Sequence, residues 1–181
     1  MLVSDILANA ALDSDMEVKV SENRGHAQRG GSVSAHVRIG SCFSPTIPLK
    51  KSDVILGLEP LEALRNISIL KPDGFVVMDK NPTIPFAFHL EKIEYPDIDF
   101  ILKKFEEITK NIRVLDAVSI AKSGGNVLTK NSVMLGVLCS LNDFPIPIEK
   151  IKINIRKFVP KGTEELNIKA FDMGHSGISQ E

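Results

Sequence analysis

Residues 53–58 read Asp-Val-Ile-Leu-Gly-Leu, a charge followed by a continuous apolar run. Such a run has the character of a strand covered on both faces by helices rather than half-exposed to water. Glu59-Pro60 then opens a helix that the pattern extends to about Leu70, with proline near its first turn. Pro72-Asp73-Gly74 reads as a turn, and residues 75–78, Phe-Val-Val-Met, as a second buried strand. Pro82 and Pro85 exclude a helix behind it. From Pro96-Asp97 a further helix runs to about Asn111, with Ile98, Ile101, Leu102, Phe105 and Ile108 on one face. Residues 112–116 return as a short strand and Ala117 to Lys122 as a helical turn. Strands alternating with helices predict an α/β fold: a Rossmann-like, mostly parallel sheet between helical layers. In such sheets, ligands and partners meet the loops at the carboxyl ends of the strands. At 181 residues the chain is expected to form a single domain, 1–181.

The flanks carry the remaining elements. Leu2, Ile6, Leu7, Ala10 and Ala11 recur at helical spacing over residues 2–12. Residues 16–21 alternate like a short strand, so a helix precedes the first strand and the α/β rhythm lacks its opening strand. Residues 22–32 read as a loop. Val33, Ala35, Val37 and Ile39 alternate against Ser34, His36 and Arg38, the mark of a half-buried strand, and residues 42–47 are expected to return as its hairpin partner. Residues 129–142 read as a buried helix containing Gly136. Residues 148–158 fit two periods at once: Ile151, Ile153 and Ile155 alternate, while Ile148, Ile151, Ile155 and Phe158 line a helix face. A last helix is expected over 162–173 with Thr163 as N-cap, followed by a loose tail.

Composition excludes several roles. Lys plus Arg total 22 against 23 Asp plus Glu, a net charge of -1, which lacks the basic balance of a nucleic-acid-binding module. No apolar run approaches the ~20 residues that span a bilayer, and the N-terminus has no basic region of a signal peptide. Cytoplasmic location and no membrane partner are expected. The two cysteines, Cys42 and Cys139, form no CxxC and no zinc spacing, and an ordinary iron–sulfur cluster needs four thiolates. Both are expected to be reduced thiols, and no metal site is expected.

The segment from Ser21 to Arg38, SENRGHAQRGGSVSAHVR, is the most informative. It follows a short strand and is therefore expected at that strand's carboxyl end. Gly30 and Gly31 permit backbone geometry closed to other residues, and successive N–H groups in such a turn form an anion-binding concavity. Arg24, Arg29 and Arg38 add positive charge suited to carboxylate or phosphate, and Glu22 is placed to anchor one of them. A tight glycine turn with solvated arginines is the plainer reading of the same residues. His26 and His36 have no Cys, Asp or second His at ligand spacing. Asp53 is read as a turn residue, and Glu59 as a charge at a helix start. GxGxxG, Walker A and GxSxG motifs are all absent.

Taken together, SENRGHAQRGGSVSAHVRIG, FSPTIP, DVILGLEPLEALR and LKPDGFVVMDKNP resemble the gamma-type domain of 2-oxoacid:ferredoxin oxidoreductases, in the branch that serves aryl 2-oxoacids. The E-x-x-G-x-A-Q-R-G-G core is matched by Glu22, Gly25, Ala27, Gln28, Arg29, Gly30 and Gly31. NSVMLGVL and the closing N-x-x-A-F-x-x-G (Asn167, Ala170, Phe171, Gly174) also match. The resemblance implies a subunit without catalytic residues of its own. It also implies a larger partner subunit carrying thiamine diphosphate and iron–sulfur clusters, coenzyme A as co-substrate, and ferredoxin as the acceptor reached through the complex. The site residues it implies are Glu22, Arg24, Gly25, Gln28, Arg29, Gly30, Gly31 and Ser32, on a loop facing the partner, substrate or coenzyme A. No GDG…NN thiamine motif is present, in keeping with redox chemistry housed elsewhere. Two other readings stay open: a subunit serving pyruvate, 2-oxoglutarate or branched-chain oxoacids, and a stand-alone nucleotide or small-molecule binder on the same fold. Members of the family usually open with a strand and a G-x-G-G-Q-G turn before the first helix, whereas Met1 stands just after that point. Loss of a central strand would leave buried backbone groups unpaired, so a start recorded downstream of the true one is expected.

Overall fold

The computed structural model describes residues 2–24, 32–83 and 94–177. The chain divides into two compact units, one formed by Met1–Ser21, Ala35–Thr46 and Asp116–Glu181, the other by Glu22–Ser34 and Ile47–Leu115.

In the second unit, β3 (Ser52–Gly57), β4 (Leu70–Asp79) and β5 (Ile112–Leu115) form a parallel sheet in that order. Ile55 lies opposite Val76, Gly57 opposite Met78, and Asp79 opposite Leu115. Helices α2 (Pro60–Arg65) and α3 (Ile98–Glu106) cover it. Ile55, Ala63, Leu70, Val76, Met78, Ile101 and Phe105 make the core between them. Val76, Val77 and Met78 are wholly buried, as the unbroken apolar run requires.

The helix expected to reach Leu70 stops at Arg65. A single 3-10 turn over Ile67–Ile69 follows, because Lys50 and Lys51 N–H already take the Ser68 and Ile69 carbonyls and Leu70 pairs with Ser52. The expected turn at 72–74 instead lies within β4 as an irregularity, where the register shifts between Ser52 and Val54 and Asp73 takes a φ of 60°. The link from α3 to β5 is closed by the buried Thr109 hydroxyl, which donates to the Gly74 carbonyl at 2.7 Å.

The first unit is helical: α1 (Leu2–Leu12), α4 (Ala117–Gly124), α5 (Lys130–Cys139), α6 (Ile148–Phe158) and α7 (Glu164–Ser176). The two-period segment 148–158 is a helix. Ile151, Asn154 and Ile155 face inward, while Ile153, which only the strand period would bury, is 45% exposed. Asn154 and Lys157 both donate to the Asp13 carboxylate at 2.9 Å and tie α6 to the end of α1. Helices α5 and α7 cross at backbone contact. A Cβ on Gly136 would stand 2.1 Å from the Phe171 carbonyl oxygen, and one on Gly174 2.1 Å from that of Val133. The buried Ser132 hydroxyl donates to Asn167 Oδ1 at 2.7 Å across the same crossing. The expected end at 173 is therefore too early: Gly174 must stay helical to seat on Val133, and α7 continues to Ser176. Thr163 stands in the cap position, but its hydroxyl donates backwards to Pro160 O at 2.7 Å rather than capping the helix.

Strands β1 (Val18–Arg24) and β2 (Val33–Ile39) form a separate antiparallel hairpin. Two expectations change here. The return strand at 42–47 does not form, because Arg38 Nη1 donates to the Ser44 carbonyl at 2.8 Å and the Thr46 carbonyl at 3.3 Å. Those carbonyls are thereby satisfied without a strand partner. The partner of β2 is β1, which runs three residues beyond the expected 16–21, so the strand before the glycine segment lies outside the parallel sheet.

Candidate functional site at the carboxyl end of β3

The parallel strands end at Gly57, Asp79 and Leu115. Gly57 is required at its position, since a Cβ there would come 2.6 Å from the Ala63 Cβ, and α2 rests directly on the strand end. Pro60 fits the first helical position, where its missing N–H costs nothing. Glu59 is more than a charge near the helix start: its Oε2 accepts from the Glu62 N–H at 2.8 Å, capping α2 through a side chain. At the end of β4, the buried Asp79 Oδ1 accepts from the Asn81 side chain at 2.9 Å and the Asn81 N–H at 3.2 Å.

Two more side chains reach the first turn of α2. The Ser32 hydroxyl donates to Glu62 Oε2, while Arg65 Nη1 pairs with Glu62 Oε1. The Tyr95 hydroxyl donates to Glu59 Oε1 and accepts from the Leu61 N–H at 3.1 Å. Burial, reinforced by the Glu59 carboxylate, pushes the Tyr95 phenol well above its ordinary pKa. It stays protonated, and thus a donor, at any working pH.

Of the site residues read from the sequence, Ser32 is held by Glu62 at α2, directly behind the carboxyl end of β3. Glu22 lies within β1 and Arg24 closes that strand, so the first three residues of the expected 22–32 loop are strand. Gly25, Gln28, Arg29, Gly30 and Gly31, with His26, lie outside the described residues. Arg38 is withdrawn from the cationic group, because its guanidinium is committed to the Ser44 and Thr46 carbonyls. His36 is half-buried in β2, and Asp53 is a β3 residue paired with Lys71 rather than a turn.

Glu62, Arg65 and Tyr95 were not singled out from the sequence. The available signals were weak: a second glutamate three residues after Glu59, and the chain's one tyrosine just before Pro96. Among the described residues, no group of three or more His, Cys, Asp or Glu could hold a metal ion. The two thiols do not fit the donor set of an iron–sulfur cluster. Cys139 is buried in α5, and burial alone pushes its thiol pKa far up. Among the described residues no helix is long and apolar enough to cross a membrane.

Comparison with known proteins bears on the whole chain. Residues 1–177 match the family described as pyruvate ferredoxin/flavodoxin oxidoreductase. The indolepyruvate oxidoreductase subunit IorB of Archaeoglobus fulgidus is 35% identical over 176 residues, covering 97% of this chain and 88% of that protein. The protein of the same name from Pyrococcus horikoshii is 38% identical, covering 96% of this chain and 87% of its own length. Among solved structures, the pyruvate oxidoreductase subunit PORC of Thermotoga maritima superposes with a TM-score of 0.65 at 25% identity, over 96% of this chain and 86% of that one. The keto/oxoacid ferredoxin oxidoreductase gamma subunit of Geobacter sulfurreducens shares the fold, with a TM-score of 0.64 at 24% identity over 97% of this chain and 89% of that one. With the match running through both compact units and through the α5–α7 crossing as well as β3 and α2, this chain belongs to the pyruvate ferredoxin/flavodoxin oxidoreductase family.

Proposed function

We propose that this chain is the beta subunit of an indolepyruvate:ferredoxin oxidoreductase. The observation that carries the reading is its 35–38% identity, along nearly all of its length, to indolepyruvate oxidoreductase subunits. A 2-oxoglutarate synthase subunit from Methanocaldococcus jannaschii, at 25%, is more distant and favours the aryl substrate over the 2-oxoglutarate alternative. The overall reaction consumes a 2-oxoacid anion and the coenzyme A thiol. It yields acyl-CoA, carbon dioxide, a proton and two electrons, which leave one at a time to ferredoxin. In this reading thiamine diphosphate supplies carbanion stabilisation from a larger partner subunit, which also carries the iron–sulfur clusters. The present chain, inactive alone and working in the cytoplasm, acts as one domain over 1–181 that completes the partner's reaction chamber.

Its contribution is the segment from Glu22 to Ser32, in which Arg24 and Arg29 supply positive charge and Gly25, Gln28, Gly30 and Gly31 complete the motif. What supports this is the anchoring of Ser32 to α2 at the carboxyl end of β3, where open parallel sheets present their ligands. The test is turnover of the complex co-purified with its larger subunit. Indolepyruvate is expected to give a higher kcat/KM than pyruvate, 2-oxoglutarate or a branched-chain oxoacid. A higher value for any of those three, or turnover by this chain alone, would overturn the reading.

A further inference from the structure

Strand β4 is the middle strand of the parallel sheet, and the wholly buried Asp79 stands at its carboxyl end. Burying a carboxylate is costly unless hydrogen bonds compensate it, and an apolar side chain would fill the same place without that cost. Asp79 Oδ1 accepts from the Asn81 N–H at 3.2 Å and from Asn81 Nδ2 at 2.9 Å, so the carboxylate fixes the turn by which the chain leaves the sheet. Lys80 stands inside that turn. Its own N–H donates to the Leu115 carbonyl at 2.9 Å, which ties its backbone to β5 on one side while the Asp79–Asn81 bonds hold it on the other. Pro82 has no N–H with which to carry the ladder further. Successive side chains alternate across a sheet, so Lys80 leaves on the face opposite Asp79, and it is exposed. A cation on a backbone pinned from both sides therefore stands at the rim where open parallel sheets meet their ligands.

We propose that Lys80 is an anion-binding residue at the carboxyl rim of the sheet, with Asp79 and Asn81 as the positioning residues that fix the turn presenting it. The group it takes is a carboxylate or a phosphate, both of which accept charge-assisted hydrogen bonds from an ammonium. A backbone ordered beforehand lowers the conformational entropy lost when the ligand binds. The proposal rests on the subunit reading above, whose reaction takes in two anions, the 2-oxoacid carboxylate and the phosphates of coenzyme A. It adds a binding cation from outside the glycine–arginine segment.

The test uses the complex co-purified with its larger subunit, with KM for coenzyme A and KM for indolepyruvate measured separately. Lys80→Ala and Lys80→Gln remove the charge, and Lys80→Arg keeps it. Each neutral variant is expected to raise one of the two KM values roughly ten-fold, the cost of one charge-assisted hydrogen bond, with kcat within about two-fold. A rise confined to coenzyme A assigns a phosphate, and one confined to indolepyruvate a carboxylate. Lys80→Arg should stay within about three-fold of the parent. The difference between parent and Lys80→Ala should shrink in high salt, which a purely structural role would not produce. Parent KM values in either neutral variant, or a difference that salt leaves unchanged, overturn the proposal. Asn81→Ala should raise the same KM by roughly three-fold; parent values there overturn the positioning role of Asp79 and Asn81. A parent complex that uses another 2-oxoacid in place of indolepyruvate defeats the subunit reading instead, and the same variants, measured with that oxoacid and with coenzyme A, still decide Lys80.

Discussion

The α5–α7 crossing and the first turn of α2 both contain residues of family-like motifs, yet they use them in opposite ways. At the crossing, Gly136, Gly174, Ser132 and Asn167 are consumed by packing: two backbones touch, and the Ser132–Asn167 pair between them is buried. At α2, Glu59, Glu62, Ser32 and Tyr95 make bonds that the core does not need, and Ser32 is exposed. The two regions therefore carry different information. Glycines with a carbonyl in the place of their missing Cβ report on the fold, whereas polar side chains spent on distant partners mark the region that the proposed reading assigns to the site. NSVMLGVL and N-x-x-A-F-x-x-G are legible as halves of a single helix lock once the backbone approach is seen.

The largest effect should come from Gly136→Ala. On an isolated helix this change gains about 1 kcal/mol of propensity. Here the methyl group would lie 2.1 Å from the Phe171 carbonyl oxygen, which is backbone and cannot rotate away. The clash outweighs the propensity gain, and urea unfolding of the full chain should show a net loss of about 3 kcal/mol or more. A midpoint at or above the parent's would break the contrast on its structural side.

Arg29→Ala should behave in the opposite manner. Unfolding is expected to stay within about 0.5 kcal/mol of the parent, while turnover of the complex falls roughly ten-fold or more, the cost of one charge-assisted hydrogen bond. Parent-level turnover with unchanged coenzyme A dependence would remove the case for the glycine–arginine segment.

Ser132→Ala sharpens the packing side. It leaves the buried Asn167 Oδ1 without its donor and should cost about 1–2 kcal/mol in the same unfolding assay. Full turnover of the assembled complex is expected below the melting temperature.

The smallest effect concerns acid stability. The hydrogen bonds from Lys157 and Asn154 hold the Asp13 carboxyl below its ordinary pKa. A depressed carboxylate stabilises the folded chain above its unfolded pKa, and that contribution is lost as pH falls through the folded value. Asp13→Asn should therefore flatten the acid limb of unfolding below about pH 4. The difference should shrink in high salt because Asp13 is exposed. Superimposable acid limbs would remove Asp13 as a source of that slope.

Elements with a single unambiguous period were readable in advance. Leu2–Leu12 and Val33–Ile39 match the expected spans because one face of each is apolar without interruption. Residues 148–158 could not be decided by pattern, since Ile151 and Ile155 serve both periods; tertiary contact chose the helix by burying Asn154 against Asp13. The false strand at 42–47 arose because a side chain, Arg38, did the work of a neighbouring strand, and no periodicity records that. The same blindness applied to the site. The glycines and arginines of the loop announced themselves by composition, but Ser32 meets Glu62 thirty positions away and Tyr95 meets Glu59 thirty-six away. Nothing local to either pair marks it.

Gly57 meets Ala63 in a seam with no slack on the strand side: a methyl group added to Gly57 would stand 2.6 Å from the Ala63 Cβ. In homologous sequences those two sites should therefore vary jointly or remain fixed, whatever happens to the charges a turn further along. A short helix pressed so closely on a strand tip takes its position from that tip, and the side chains of Ser32 and Tyr95 that it holds are thereby registered to the sheet's rim.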